Sequence, residues 1–237
     1  FLDGARLMDM HFKNASFDLN MPVILAMLSI YYANFYNVQS QAIICYGDKL
    51  THFTDFARQL HMESLGKKTK IDGSPVNVNT GNVIWGGSGS DGQHSYFQLL
   101  HQGSYTIPID FIVDADGSDD QMEAYSLANC LAQSESLMAG MQEADPERSI
   151  DGDKPNNVIL VNKLSPQSIG QLVSLYEHKV FVQSVIYGIN AFDQYGVELG
   201  KKIAQSLSKV ISKSSRYTGK NPSTRALLSK IREYRKG

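Results

Sequence analysis

The sequence predicts an α/β fold: a doubly wound, mostly parallel sheet with helices on both faces, plus a C-terminal helical extension. Three observations predict it. Short unbroken apolar runs recur along the chain as QAIICYG, NVIWGG, IPIDFIVDA and NNVILVNKL. Each is followed by a turn and then by a stretch whose apolar residues return at helical spacing. With 237 residues, 42% of them apolar and 19% charged, the chain is also long enough to bury a large core. Strands buried on both faces read as continuous apolar runs, and their alternation with helices marks a parallel sheet covered on both sides.

The elements follow in order. FLDGARLMDMHF places Phe1, Leu2, Ala5, Met8 and Phe12 on one side of a helix. Because the chain opens in mid-pattern, residues 1–40 are expected to be a helical segment continuing from an upstream part. Asn20 and Pro22 read as the N-cap and first turn of a buried helix, and the apolar stretch from Met21 to about Tyr32 is too short to span a membrane. QAIICYG ends at Gly47, and the helix THFTDFARQLHMESLG then begins with Thr51 as cap, carrying Phe53, Phe56, Ala57 and Leu60 at helical spacing. NVIWGG leads through a Gly-rich turn into a helix from about Gln93. IPIDFIVDA precedes a helix from about Asp119 to Gly140. The polar, proline-containing QEADPERSIDGDKPNN is a surface connection, and NNVILVNKL runs into a long helix opening at Ser165-Pro166. Residues 41–213 therefore read as one α/β domain, and 214–237 as a linker and terminal helix capped by Ser223. In such sheets ligands collect at the carboxyl ends of the strands.

Composition narrows the function. A formal net charge of -2 offers no electrostatic footprint for nucleic acid or an anionic membrane. Cys45 and Cys130 lack C-x-x-C spacing, which indicates neither a zinc ribbon nor a disulfide scaffold and makes a reducing, cytoplasmic setting the default. His61-Met62-Glu63 mimics the H-x-E of zinc deaminases, but without a C-x-x-C partner the ligand count fails and no metal is expected. Gly87, Gly89 and Gly92 form G-x-G-x-x-G after a strand, with Asp110 and Asp114 in the next apolar run, the pattern of an NAD-dependent dehydrogenase. Against that reading, Asp91 inside the loop would repel a pyrophosphate, and a strand–helix unit precedes the glycines.

Several residues could carry chemistry, each beside a blander alternative. Glu63 falls at the end of an amphipathic helix just before Gly66, where it is either a solvated surface residue or a base. His94 follows Gly92 and Gln93 and is expected in the first turn of a helix. There the macrodipole favours a neutral imidazole suited to moving protons, the alternative being a capping or core histidine. Gln194, Glu198 and Lys201 share one helical face at i, i+4 and i+7, so an amide and an ammonium could reach one ligand; otherwise Glu198 pairs with Lys202 on a wet face. His101 and His178 read as structural, and Lys67, Lys68 and Lys70 as a solvated turn.

Four ordered segments together resemble the phosphoglucose isomerase (glucose-6-phosphate isomerase) family. Gln59, Met62, Glu63, Ser64, Gly66 and Lys67 match its Q-x-x-M-E-S-x-G-K. Trp85 to Gly103 matches W-G-x-x-G-[ST]-[ND]-G-Q-H followed by Q-L-[IL]-H-Q-G. Tyr176 to Gln183 matches Y-E-H-K-[IV]-F-V-Q, and Phe192 to Lys201 matches F-D-Q-x-G-V-E-x-G-K. Gly152 to Asn157 corresponds to G-N-[RK]-P-[ST]-N, departing at Asp153 and Asn156. The resemblance implies a sugar-isomerase (SIS-type) domain. It also implies an aldose–ketose isomerase that interconverts glucose 6-phosphate and fructose 6-phosphate by ring opening and enediol proton transfer. Glu63 would be the base, His94 would move protons in ring opening, Lys201 would stand near the ring oxygen, and Gln59 and Gln194 would orient substrate hydroxyls. Neither cofactor nor metal is required. The family's site is shared across a homodimer, its histidine reaching over from the neighbouring subunit. The family's upstream half, with a Ser/Thr-rich phosphate loop and a G-G-R-[FY]-S segment, has no counterpart here, so the chain is expected to be the C-terminal portion. The remaining alternative is a non-catalytic sugar-phosphate-binding module of the same fold.

Overall fold

A computed structural model describes residues 1–116, 121–212 and 215–235. Its four strands are β1 (Ser40–Tyr46), β2 (Val83–Ser88), β3 (Ile109–Asp114) and β4 (Asn156–Val161), in the order β2-β1-β3-β4. Every pair is parallel, with Ala42 opposite both Trp85 and Ile109, and Phe111 opposite Val158. The helices are α1 (Leu2–Asn14), α2 (Met21–Phe35), α3 (Phe53–Leu65), α4 (Gly89–Gln93), α5 (Phe97–Gln102), α6 (Gln121–Ala139), α7 (Pro166–Tyr187), α8 (Tyr195–Ile211) and α9 (Pro222–Tyr234).

The strand period of two splits the core into two layers. Ile43, Cys45 and Ile112 face one side with Met8 of α1, Leu25 of α2, Phe53 and Ala57 of α3, and Leu172, Leu175 and Tyr176 of α7. Ala42, Ile44, Tyr46, Ile109, Phe111 and Val113 face the other with Phe97 and Leu100 of α5, and Cys130 and Leu137 of α6. This is the doubly wound sheet the apolar runs predict. From β1 the chain crosses to β2 on one side and returns past β1 to β3 on the other, so the direction of winding reverses between β1 and β3.

Local chemistry sets the boundaries. Asn20 caps α2 by accepting from the Val23 amide, and Pro22 occupies its first turn. Ser165 caps α7 in a reciprocal box with Ser168, and the helix stops at Gly188 in the left-handed conformation. Two expected caps shift. His52, not Thr51, precedes α3 and makes no capping bond. At α9 the cap is Asn221, whose side chain accepts from the Thr224 amide at 3.0 Å, rather than Ser223, because Pro222 takes the first helical position. The expected helix start at Asp119 and linker start at Ser214 lie outside the described residues. In α1 only Met8 of the expected apolar face is buried, while Phe1 and Leu2 are exposed. The chain divides into two compact units, Phe1–Phe192 and Asp193–Gly237.

Candidate functional site

Helix α3 descends from the carboxyl edge of the sheet to its amino edge, burying Phe53, Ala57, His61, Ser64 and Leu65 on its inner face. The outer face of its last turns carries Gln59, exposed, and Glu63, half-buried, one helical turn apart. The Gln59 side-chain amide donates to the Glu63 carboxylate at 3.5 Å. Lys67 folds back to donate from Nζ to the carbonyls of Glu63 and Ser64 at 2.8 and 3.4 Å, placing a cation on the carbonyl-rich helix end.

Beneath this turn lies a buried polar assembly. Asp110, the second residue of β3, accepts from Lys179 Nζ (3.3 Å), Tyr176 Oη (3.1 Å), Gln41 Nε2 (2.9 Å) and Asn157 Nδ2 (2.9 Å). Lys179 and Asp110 are 1% and 0% exposed. A carboxylate removed from water needs such partners, and here the neighbouring strands and α7 supply them. Burial holds the His61 imidazole down to about 3, with the Lys179 charge adding to the effect, so the ring is neutral beneath Glu63. Sequence reasoning assigned Lys179 and Tyr176 no role, although an aspartate in the middle of IPIDFIVDA was a signal of a buried, partnered charge. With four partners already, Asp110 is not available to a cofactor ribose.

At the opposite edge β2 ends in glycines. Gly86 has φ +122, and a Cβ there would collide with the Ile43 carbonyl of β1; at Gly89 a Cβ would enter the Tyr46 ring. These contacts draw the loop onto β1 and start the short α4. Gln93 then donates from Nε2 to Tyr46 Oη (3.2 Å) and Asn129 Oδ1 (3.4 Å), which fixes the end of α4. His94 is the C-cap of α4 and is exposed. This corrects the expected placement in the first turn of a longer helix: His94 follows the last turn of α4, and Ser95 and Tyr96 turn the chain again before α5, so the first-turn macrodipole argument does not apply to it. His101 bonds Gln133 at 2.7 Å and His178 bonds Asp9 at 2.7 Å, each held within the fold.

Glu63 and His94 therefore occupy opposite edges of the same sheet. Residues Gln194 and Lys201 belong to the second unit, Gln194 as the N-cap of α8 and Lys201 exposed in its second turn. Glu198 pairs with Lys202 at 3.8 Å on an exposed face.

A cavity of about 280 Å³ opens at the carboxyl ends of the strands, beside the reversal between β1 and β3. Tyr46, Ser88 and Ser90 line it together with the carboxylates Asp114, Asp116 and Glu123 and, among the described residues, a single cation, Lys49. That balance of charge opposes a phosphate. No helix among the described residues is long and apolar enough to cross a membrane.

The model of the family described as phosphoglucose isomerase matches residues 1–228. The chain belongs to the phosphoglucose isomerase family. Among curated relatives, the glucose-6-phosphate isomerase of Pseudomonas fluorescens strain SBW25 is 44% identical over 259 aligned residues, covering 100% of this chain and 46% of that protein. The glucose-6-phosphate isomerase of Pseudomonas savastanoi pv. phaseolicola is 43% identical with the same coverage. The chain thus spans about half the length of the curated relatives it matches. A crystal structure of a glucose-6-phosphate isomerase from Chlamydia trachomatis superimposes with a TM-score of 0.86 at 33% identity, over 98% of this chain and 45% of that one. A hypothetical protein from Thermus thermophilus shares the fold, with a TM-score of 0.68 at 22% identity over 86% of this chain and 48% of that one. These likenesses fit the α/β reading and lend nothing to the dehydrogenase alternative.

Proposed function

We propose that this chain carries the proton-transfer half of a glucose-6-phosphate isomerase. The observation that supports this best is the outer face of α3, where Gln59 and Glu63 stand one turn apart and bonded, within a chain of this family. Moving a proton between C1 and C2 of an open-chain hexose 6-phosphate needs a base held within hydrogen-bond reach of a weakly acidic carbon. Glu63 is half-buried on a helix end braced by Lys67, which donates to its backbone carbonyl, and its carboxylate accepts from Gln59. Gln59 orients a substrate hydroxyl next to it. Gln194 and Lys201 supply an amide and a cation toward the sugar hydroxyls and ring oxygen, and His94 moves the proton of ring opening. No step in this scheme calls for a metal or cofactor.

Because Glu63 and His94 sit at opposite edges of one sheet, the reading requires a second copy: a homodimer in which each site takes Glu63 from one subunit and His94 from the other. The acidic lining of the cavity at the carboxyl edge supports placing phosphate recognition in the portion of the longer polypeptide outside this chain. The protein would act in the cytoplasm on a free sugar phosphate. The experiment is a coupled fructose 6-phosphate assay on the intact protein. Glu63→Gln keeps shape and removes the base, and turnover is expected to drop by about 10²–10⁴-fold. Near-normal turnover in that variant removes Glu63 from the reaction.

A further inference from the structure

His94 has no side-chain tether of its own. Its ring forms no hydrogen bond or ion pair with another described residue, and it stands exposed at the end of α4. Its direction is therefore set by the backbone that carries it. That backbone is a helix of five residues, too short to keep its shape in water without tertiary support. Part of the support is close packing: Gly89 and Gly92 lie so near the Tyr46 and Tyr96 rings that a Cβ at either would enter them. The amides of Ser95 and Tyr96 then donate to the Gly92 carbonyl at 2.9 and 3.0 Å, which closes the turn around His94.

The rest comes from Gln93, the residue before His94. Its Nε2 reaches Tyr46 Oη at 3.2 Å and Asn129 Oδ1 at 3.4 Å, and both acceptors are fixed by other parts of the fold. Tyr46 ends β1 and is 1% exposed, its ring centroid 6.2 Å from that of Phe111 on β3. Asn129 donates from Nδ2 to the Tyr125 carbonyl one turn back along α6 at 3.0 Å, which leaves its Oδ1 turned to Gln93. One amide therefore ties the end of α4 to the sheet and to α6 together. Only an uncharged donor fits there, since a glutamate would set its carboxylate against the Asn129 oxygen. On the isomerase reading, on which this inference rests, His94 moves a proton to or from a substrate, and a misplacement of about 1 Å costs on the order of 10²-fold in rate.

We propose that Gln93 is a positioning residue for His94, setting through Tyr46 and Asn129 the height and angle at which α4 presents the imidazole. In the intact protein, Gln93→Met keeps the length of the side chain and removes the donor, while Tyr46→Phe keeps the ring against Gly89 and removes one acceptor. Turnover is followed in the coupled fructose 6-phosphate assay, with urea unfolding alongside. Gln93→Met is expected to lower kcat by about 10–100-fold with KM held within about twofold, and Tyr46→Phe to lower kcat by a smaller factor. The deciding readout is the combination with His94→Asn: with no imidazole left to place, adding Gln93→Met should change the residual rate by less than about twofold. If Gln93→Met does not fold, Tyr46→Phe combined with His94→Asn makes the same test. Losses that multiply in the double variant would overturn the proposal, because Gln93 would then act apart from His94, and so would a kcat near wild type in Gln93→Met. The two readings fail differently: a normal rate in His94→Asn removes the role of His94 and this proposal together, whereas a slow His94→Asn beside an unaffected Gln93→Met removes this proposal alone.

Discussion

Two inactive variants should restore each other. On the proposed isomerase reading, Glu63→Gln in the intact protein removes the base and His94→Asn the ring-opening group, so each homodimer is expected to be nearly inert. The geometry decides what a hybrid does. From Phe53 to Glu63, α3 descends about 15 Å at ~1.5 Å per residue, while β2 climbs about 17 Å from Val83 to Ser88 before the chain reaches His94. The two groups are thus separated within one chain by about 15 Å or more, against the roughly 3 Å that proton transfer tolerates. In a two-fold dimer with shared sites, one site of the hybrid gathers both substitutions and the other has neither. Co-expression with two different tags allows the hybrid to be purified, and it should show about half of wild-type activity; an unsorted random mixture should show roughly a quarter. A hybrid as inactive as its parents would mean that Glu63 and His94 serve the same chain, and the shared site would be wrong.

Other expectations follow from the polar layer beneath the site. Lys179→Met strands the Asp110 carboxylate in the core and should destabilise by about 3–5 kcal/mol in urea unfolding, with much of that recovered when Asp110→Leu is added; a loss below ~1 kcal/mol would show that the pair is not needed. His61 titrates at about 3 when folded and at its ordinary 6.5 when unfolded, so between those values only the unfolded chain takes up its proton. Its contribution is complete above pH ~6.5 and falls by about 1.4 kcal/mol per unit as pH drops toward 3. His61→Gln should remove that slope, and an unchanged pH dependence of stability would contradict the burial argument. Glu63→Gln, by contrast, should leave unfolding nearly unchanged while abolishing turnover, because its side chain faces outward from α3.

Much of the fold was legible because burial on both faces forces a continuous apolar run, and four such runs separated by helices leave few topologies. The caps at Asn20 and Ser165 were readable too, since a side-chain oxygen before a proline-led turn has one favourable use. The cap of α9 was misread by two residues, because proline's fixed φ and missing amide at the first helical position outweigh a later serine. Gln59 and Glu63 fall at i, i+4, a spacing that places them on one face in any helix. His94 was recognisable by its motif, yet its setting was not, because the close packing of Gly86 and Gly89 on Ile43 and Tyr46 stops the helix early. The meaning of Lys179 was hidden entirely: a lysine that follows Glu177 and His178 reads as one more polar residue, with no hint of an aspartate sixty-nine residues away until the sheet brings the two together.

The sequence by itself determined the strand–helix rhythm, the family and which residues are candidates for moving protons, since these depend on side-chain type and on local periodicity. Only the tertiary structure decided that Glu63 and His94 lie on opposite edges of the sheet and that Asp110 is spoken for by four partners. Those facts depend on the direction in which α3 returns and on which faces meet, and packing fixes both across distances that local sequence does not encode.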